Sequence, residues 1–560
     1  MTLANHRRQN QVDARPLAAA ARQSDPPYGR LLIAGSVPFL VPLASLLLAS
    51  GLPALRLLPS RETAADGRFS AWLDEARIRY PETELSAGEA AFEPLEWQAE
   101  IRRWEAVVYI GEPDRVAELL RLREACRMEG KPLLPVLYTA HAVMIGPLDA
   151  YLAQDGWPSA WRRLHADAIF AQAPSAPGGE GEAGEAEEVE AVTANAIAHA
   201  MFARVPSSGA EWEGHADFYL LHRGSMTGAW HRYAPHPLES ASAMASIPLD
   251  LALLDAEDGR TAPADFFTHL ERITSPVTGL LHEWDEGELK QLPVSLCRAR
   301  AADPIGAGPA VLLPPCVCGG LTHEEARREA GLAGLEAYAA RLLEDWSLHG
   351  VGVGASRSEA VCRALQAALD AGWRRAGGDP PVVRRLAHAK LADERCDFYR
   401  QALDIACGET ALGRGEAYFG FPVLWVRAEG TWYGAVGLHP TLALRQALLA
   451  ALLDRQCGSD KAGSFEGRWT VDLEASDANP PTQALFPPLE AEQEARQLLA
   501  EAAERLQGAG VRLEVSEYGG EPALQPPYLH LVGVNLYGRT APSASASRAE
   551  ALNKGGAQHG

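Results

Sequence analysis

The chain has 560 residues, 47% of them apolar and 22% charged, which fits packed globular domains and excludes wholesale disorder or a collagen-like or coiled-coil build. Lys and Arg total 51 against 73 Asp and Glu, a net charge of −22; such a field repels phosphate backbones and anionic lipid, which argues against nucleic-acid or membrane-surface roles. Eight scattered cysteines make no disulfide framework and fit a reducing cytoplasm.

Residues 1–28 are basic and Ala-rich, lack the apolar run of a signal peptide, and read as a disordered tail. Leu31 to Ala49 is the one transmembrane candidate by length and hydropathy. Its two prolines and one glycine also allow strand 31–35, a Gly turn, buried helix 38–50 and strand 54–58, the reading that needs no membrane. Val107 to Ile110 and Leu133 to Leu137 repeat the short apolar pattern around a helical stretch from Arg115 to Met128, so strands alternate with helices as in a parallel α/β sheet. Residues 174–190 hold six Glu and no basic group, which predicts a flexible acidic loop. From about 265 onward, long Ala/Leu/Arg/Glu helices alternate with Gly-rich turns and apolar strands such as Phe421 to Val426. Residues 541–560 are Ser/Ala/Gly-rich and read as a second disordered tail.

A strand, Gly turn and helix at the start is where a nucleotide site is built, with glycines admitting phosphate and a helix N-terminus facing its charge. Here the turn is Gly35-Ser36-Val37-Pro38-Phe39-Leu40, and the second strand ends Leu58-Pro59-Ser60 without an acidic residue. Residues 29–205 resemble the ThiF/E1-like adenylating fold, yet Val37 and Leu40 put bulk where phosphate must sit, and the paired CxxC motifs of a structural zinc are missing. The segment 130–165, with Gly146-Pro147-Leu148 and Ser159 through His165, resembles the ocin-ThiF-like proteins of thiazole-containing bacteriocin and thiopeptide biosynthesis. Read residue by residue, Trp157, Trp161 and Leu164 are packing groups, with Arg162 and Arg163 on a solvated face.

Thr322 and Glu325 form a capping box that opens a helix whose buried stripe is Leu332, Leu335, Ala339 and Leu342. With Thr274 to Gly279 upstream, this resembles the start of a YcaO domain. That resemblance implies ATP-driven activation of a peptide amide, with nucleotide and magnesium held by carboxylates paired three apart on helices. Glu336 matches one such carboxylate, its partner place being Ala333; Asp370 matches loosely, its partner place being Ala367; the third helix, Leu438 to Leu453, carries Ala450 and Leu453 there. Glu336 and Asp370 are the expected remnants of a nucleotide site.

The Gly350–Ser356 run reads as a strand-to-helix turn, with anion cradling as the alternative, and Cys316 and Cys318 as buried thiols. His231, His236 and the pair His282 and Asp285 read as structural. No P-loop, HExxH, GxSxG or EF-hand pattern occurs. The fold class is therefore α/β: a Rossmann-like parallel sheet of ThiF/E1 type over 29–205, a connecting segment 206–264, and a YcaO-like α+β domain over 265–540.

The two resemblances together imply a non-catalytic partner that presents a ribosomal precursor peptide, through its leader, to an active YcaO cyclodehydratase, with a flavin dehydrogenase as a further partner. No metal ligand set or cofactor is expected; ATP and magnesium belong to the alternative, in which the chain is itself an amide-activating enzyme. Only residues 1–28 precede the first strand, so leader binding is expected elsewhere on the chain or on another polypeptide.

Overall fold

A computed structural model describes residues 28–538 apart from 36–37, 66, 89–93, 150–155, 172–182, 203–215, 240–243, 252–253, 255–262, 377–382, 387, 459–467, 470–482, 487–493 and 526–528. The two tails expected to be disordered, apart from Tyr28, lie outside the described residues. The chain forms two compact units, Met1–Ser242 with Gly306–Val311, and Ala243–Ile305 with Leu312–Gly560.

The strands of the first unit are β1 (Arg30–Gly35), β2 (Ala54–Pro59), β3 (Glu84–Ala87), β4 (Ala106–Gly111), β5 (Leu133–Tyr138), β6 (Ala142–Ile145), β7 (Ala216–His222) and β8 (Thr227–Tyr233). Its helices are α1 (Leu40–Ala49), α2 (Arg61–Ala65), α3 (Gly67–Arg79), α4 (Pro94–Ile101), α5 (Val116–Met128), α6 (Trp157–Arg163), α7 (Ala166–Phe170) and α8 (Ala183–Phe202). One eight-stranded sheet results, in the order β3-β2-β1-β4-β5-β6-β7-β8. β3 through β5 are parallel and β6 through β8 antiparallel. Strands covered on both faces need continuous apolar runs, which is why β4 and β5 are buried throughout. Gly35 has φ +134°, and a Cβ there would collide with the Ile110 carbonyl, so this glycine is demanded by the approach of β1 to β4.

The apolar stretch Leu31 to Ala49 is thus a strand and a ten-residue helix. No described helix is long and apolar enough to cross a membrane. The acidic stretch 174–190 is corrected in part: from Ala183 it belongs to α8, and 174–182 lie outside the described residues. Alanine and glutamate there favour helix, and Ala194, Ile197, Ala200 and Met201 anchor it on the core. The segment 206–264 is more than a connection, since β7 and β8 complete the first sheet and the units divide after Ser242.

The second unit contains β9 (Ala245–Pro248), α9 (Pro263–Ile273), β10 (Leu281–Asp285), β11 (Ser295–Ala301), β12 (Cys316–Gly320), α10 (His323–Leu342), β13 (Gly350–Gly354) and α11 (Arg357–Ala376). There follow β14 (Arg384–Leu386), β15 (His388–Leu391), α12 (Glu394–Cys407), β16 (Ala411–Arg414), β17 (Val423–Ala428), β18 (Thr431–Val436) and α13 (Pro440–Cys457). β19 (Arg468–Trp469), β20 (Gln483–Phe486), α14 (Glu494–Gly508), β21 (Arg512–Gly519) and β22 (His530–Tyr537) close it. Its sheets run β10-β11-β12, β13-β22-β21-β9, β14-β16-β17-β18-β19 and β15-β20.

α10 begins as its residues predict, Thr322 Oγ1 accepting from Glu325 N–H at 3.1 Å, and Leu332, Leu335 and Ala339 are fully buried. The Gly350–Ser356 run is corrected from turn to strand over Gly350–Gly354. The reason is packing: Cβ atoms on Gly350 and Gly352 would collide with the backbone of α11, so the glycines let that helix lie directly on the strand.

Candidate functional site

In the first unit, the crevice beyond the carboxyl ends of β1 and β4 is where a nucleotide would sit. Phe39 precedes α1, is buried, and meets Tyr138 edge to face with ring centroids 5.2 Å apart; Leu40 is equally buried. The Arg223 guanidinium lies 5.8 Å from the Phe39 ring, and its Nη1 donates to the Thr139 carbonyl at 2.8 Å. After β2, where a ribose-binding carboxylate is usual, Ser60 Oγ and Thr63 Oγ1 share a hydrogen bond of 2.9 Å at the start of α2. Ser36 and Val37 lie outside the described residues.

The two quoted motifs of this unit do structural work. Gly146 has φ +83°, a conformation that suits glycine. Trp157 and Trp161 are buried and stack at 5.5 Å. Arg162 and Arg163 do not lie on a solvated face. Arg163 is buried and donates to the Ala234 and Pro235 carbonyls at 3.3 and 2.8 Å, while Arg162 pairs with Glu239 at 2.6 Å and donates to the Gly306 carbonyl at 2.5 Å. Ser159 Oγ accepts from His236 N–H at 3.0 Å, so α6 clamps the loop after β8. His236 itself is buried, its Nδ1 accepting from Leu238 N–H at 3.2 Å; His231 is pushed down to about 4, by burial first and by His222 second.

In the second unit the charged groups converge between α10 and α11. Glu329 and Glu336 are two turns apart and share one face of α10. Glu359 and Arg363, one turn apart, share the opposing face of α11. Arg363 Nε and Nη2 donate to the two oxygens of Glu336 at 2.6 and 3.1 Å, and its Nη1 to Glu329 at 2.7 Å. Arg328 grips Glu359 with two bonds of 2.6 and 2.7 Å. Glu336 also accepts from Val353 N–H at 3.2 Å, and Glu359 from Ala355 N–H at 2.9 Å. Burial raises the cost of charging Glu329, but the Arg363 guanidinium outweighs it and holds that carboxyl below the usual carboxylate range.

Of the two carboxylates singled out from the sequence, Glu336 therefore sits in this network; Asp370 lies two turns beyond Arg363 on α11. Glu329, Arg363, Arg328 and Glu359 were not legible as a set, because their pairing crosses from one helix to another. The Glu329–Glu336 and Glu359–Arg363 spacings were the available signal. On the third helix, α13, Leu453 is buried, and it and Leu449 pack against Gly319, which leaves no donor there.

A magnesium–triphosphate group needs carboxylates free to coordinate metal. Here the Arg363 guanidinium already engages both Glu329 and Glu336, so neither carboxylate is free of a cation. Among the described residues no cluster of three His, Cys, Asp or Glu is placed to hold a metal ion. Cys318 faces Cys297 across the β11–β12 ladder, and burial pushes both thiols up. His282 and Asp285 lie on β10, in the same sheet. Beside Glu336 is a cavity of about 430 Å³, walled by small and aliphatic groups such as Ala340, Ala367, Ala371, Gly350 and Val351. On its wall, Glu344 pairs with Arg341, and His349 Nδ1 lies 2.8 Å from Asn535 Oδ1.

No protein-family model and no curated protein matches the chain. Among solved structures, a heterocyclase in complex with substrate and cofactor is similar with a TM-score of 0.55 at 13% identity, over 95% of this chain and 84% of that one. The chain shares that heterocyclase's α/β fold. The heterocyclase TruD aligns over 95% of this chain and 83% of its own at 12% identity with a TM-score of 0.47. MccB of E. coli aligns over 40% of this chain and 67% of its own at 9% identity with a TM-score of 0.26. Likeness at these two lower scores bears on neither fold nor function.

Proposed function

We propose that this chain is a non-catalytic partner of a YcaO-type cyclodehydratase in the maturation of thiazole- or oxazole-bearing ribosomal peptides. In this reading its ThiF/E1-like and YcaO-like domains are both degenerate. The shared fold with a heterocyclase supports the setting, peptide modification. The observation that carries the non-catalytic half is Arg363: it bridges Glu336, the one clear match to a YcaO nucleotide carboxylate, to Glu329. A fixed cation thus already occupies the carboxylates that a magnesium ion would need.

The role is one of proximity. A partner that holds the leader of a precursor peptide raises the effective concentration of its Cys, Ser or Thr residues at the enzyme's active site, without chemistry of its own. An active cyclodehydratase, the precursor peptide and a flavin dehydrogenase are the partners of this reading, in the cytoplasm, and ATP is the enzyme's.

Two measurements test it. Titration calorimetry of magnesium–ATP into the full chain should give no saturable heat. Precursor peptide, cyclodehydratase and ATP should form more rings, read by mass spectrometry as lost waters, when the chain is added. Rings formed by this chain with ATP alone would overturn the reading and favour the enzyme alternative, with the cavity beside Glu336 as its nucleotide pocket.

A further inference from the structure

The cavity of about 430 Å³ beside Glu336 has the size of a small-ligand pocket. It is walled by Glu336 and Ala340 of α10, by Glu344 just after that helix, by Ala367 and Ala371 one turn apart on α11, and by Val351 of β13. The alanines end in methyl groups, which leaves the space open. Its two acidic residues belong to clusters in which one guanidinium serves two carboxylates. Arg363 is shared by Glu329 and Glu336, and Arg341 by Asp303 and Glu344. Arg328 adds a cation to the first cluster and brings Glu359 with it. Three carboxylates against two guanidinium groups, and two against one, leave each cluster one negative charge in excess. Each cluster places one of its acids on the cavity wall. Arg375, one turn past Ala371, donates to the Ala371 carbonyl along its own helix, and its charge acts on Tyr418.

The two wall carboxylates also keep acceptor capacity. Glu336 Oε1 accepts from Arg363 Nε and Val353 N–H, whereas Oε2 accepts only from Arg363 Nη2. Glu344 accepts from Arg341 through Oε2, and its Oε1 takes no bond from the described residues. A carboxylate oxygen has room for two donors. A magnesium ion would need a carboxylate released from its guanidinium; an ammonium needs only an open lone pair and an unbalanced charge. We propose that this cavity binds a small organic cation, a primary amine held through its ammonium by Glu336 and Glu344 and through its apolar body by the alanines and Val351. The charge preference is the reverse of a nucleotide's, and the inference does not rest on the partner reading above.

The probe is tryptamine, titrated into the full chain by equilibrium dialysis, with its uncharged and anionic counterparts, tryptophol and indole-3-acetate, as controls. Saturable binding of tryptamine is expected with a dissociation constant of about 0.1–1 mM, the scale for a ligand of about a dozen heavy atoms. It should weaken as salt is raised, and both controls should bind at least about fivefold more weakly. Glu344→Gln, at an exposed position, should weaken tryptamine about two- to fivefold. Ala367→Phe fills the cavity and should abolish binding, with a melting temperature within about 3 °C of wild type as the check on folding. Ala371→Phe, at the exposed rim, repeats that test without touching the core. No saturable binding, equal binding of tryptophol, or binding unchanged in both filled variants would each overturn the proposal and leave the partner reading untouched. Displacement of tryptamine by magnesium–ATP would overturn it in favour of the enzyme alternative.

Discussion

The two units treat the places singled out from the sequence with different kinds of contact, apolar in the first and ionic in the second. In the first, Phe39 and Leu40, which follow β1, are fully buried, Phe39 against the ring of Tyr138. In the second, Arg363 and Arg328 are locked among Glu329, Glu336 and Glu359. Apolar contact is insensitive to pH and salt and costs much to undo. Ionic contact depends on the charge state and on every member being present. One substitution removes a cation and leaves two carboxylates facing each other.

That contrast is open to experiment. The largest effect is expected from Phe39→Ala, which empties a fully buried site and should cost about 3–5 kcal/mol in urea unfolding, with little dependence on pH. If the loss is under about 1 kcal/mol, packing of Phe39 is not what holds this part of the unit. Arg363→Ala should cost about 1–3 kcal/mol, between the limits for exposed and buried pairs, since Glu329 is 43% exposed and Arg363 and Glu336 each 21%. Adding Glu329→Gln and Glu336→Gln should restore most of it, and a triple variant no more stable than the single one argues that charge is not the link.

This loss must also fade in acid. A carboxyl held low in the fold stabilises it above the unfolded value, about 4.3, and loses that contribution as pH falls through the folded value. The gap between wild type and Arg363→Ala is therefore widest at neutral pH and closes below about 4.

A second ionic link sharpens the point. Asp393 caps α12 through Cys396 N–H at 2.9 Å and is gripped by Arg445 of α13, which offset its burial and bring it down to about 2. Its stabilisation is complete above its ordinary value of 3.8 and lost between there and about 2. Asp393→Asn should lower the melting temperature at pH 7 by a few degrees, and a difference that persists unchanged at pH 2 would argue against the ion pair.

The smallest effect belongs to the first unit. His231, half-buried, is held neutral near 4 against an ordinary 6.5, chiefly by burial. The unfolded chain takes up a proton below 6.5 that the folded one resists, so His231 destabilises the fold as pH falls from about 6.5 to 4. His231→Phe should flatten that limb of the stability curve, measured by urea unfolding at pH 7 and pH 5.

How much of this the sequence carried depends on the range of the interaction. The α/β class, the early strand–turn–helix–strand pattern, the start of α10 and its buried stripe were legible because periodicity and capping act within a few residues. The helical half of the acidic stretch at 183–190 was not, because its continuation is anchored by Ala194, Ile197 and Met201 on a sheet made by distant segments. The Gly350–Gly354 run looked like a turn for the same reason: what glycine makes room for there is a helix that local sequence does not position.

The site followed the same rule. The resemblance to YcaO proteins supplied Glu336 and the expected partner positions, held here by Ala333, Ala450 and Leu453, since residue identity at a matched position can be read without the fold. That Arg162 and Arg163 are clamps rather than solvated charges, and that Arg363 holds Glu329 and Glu336, was decided only by tertiary structure. A charged side chain's role is set by which opposite charge or carbonyl comes within about 3 Å, and that distance is fixed by how helices and loops pack.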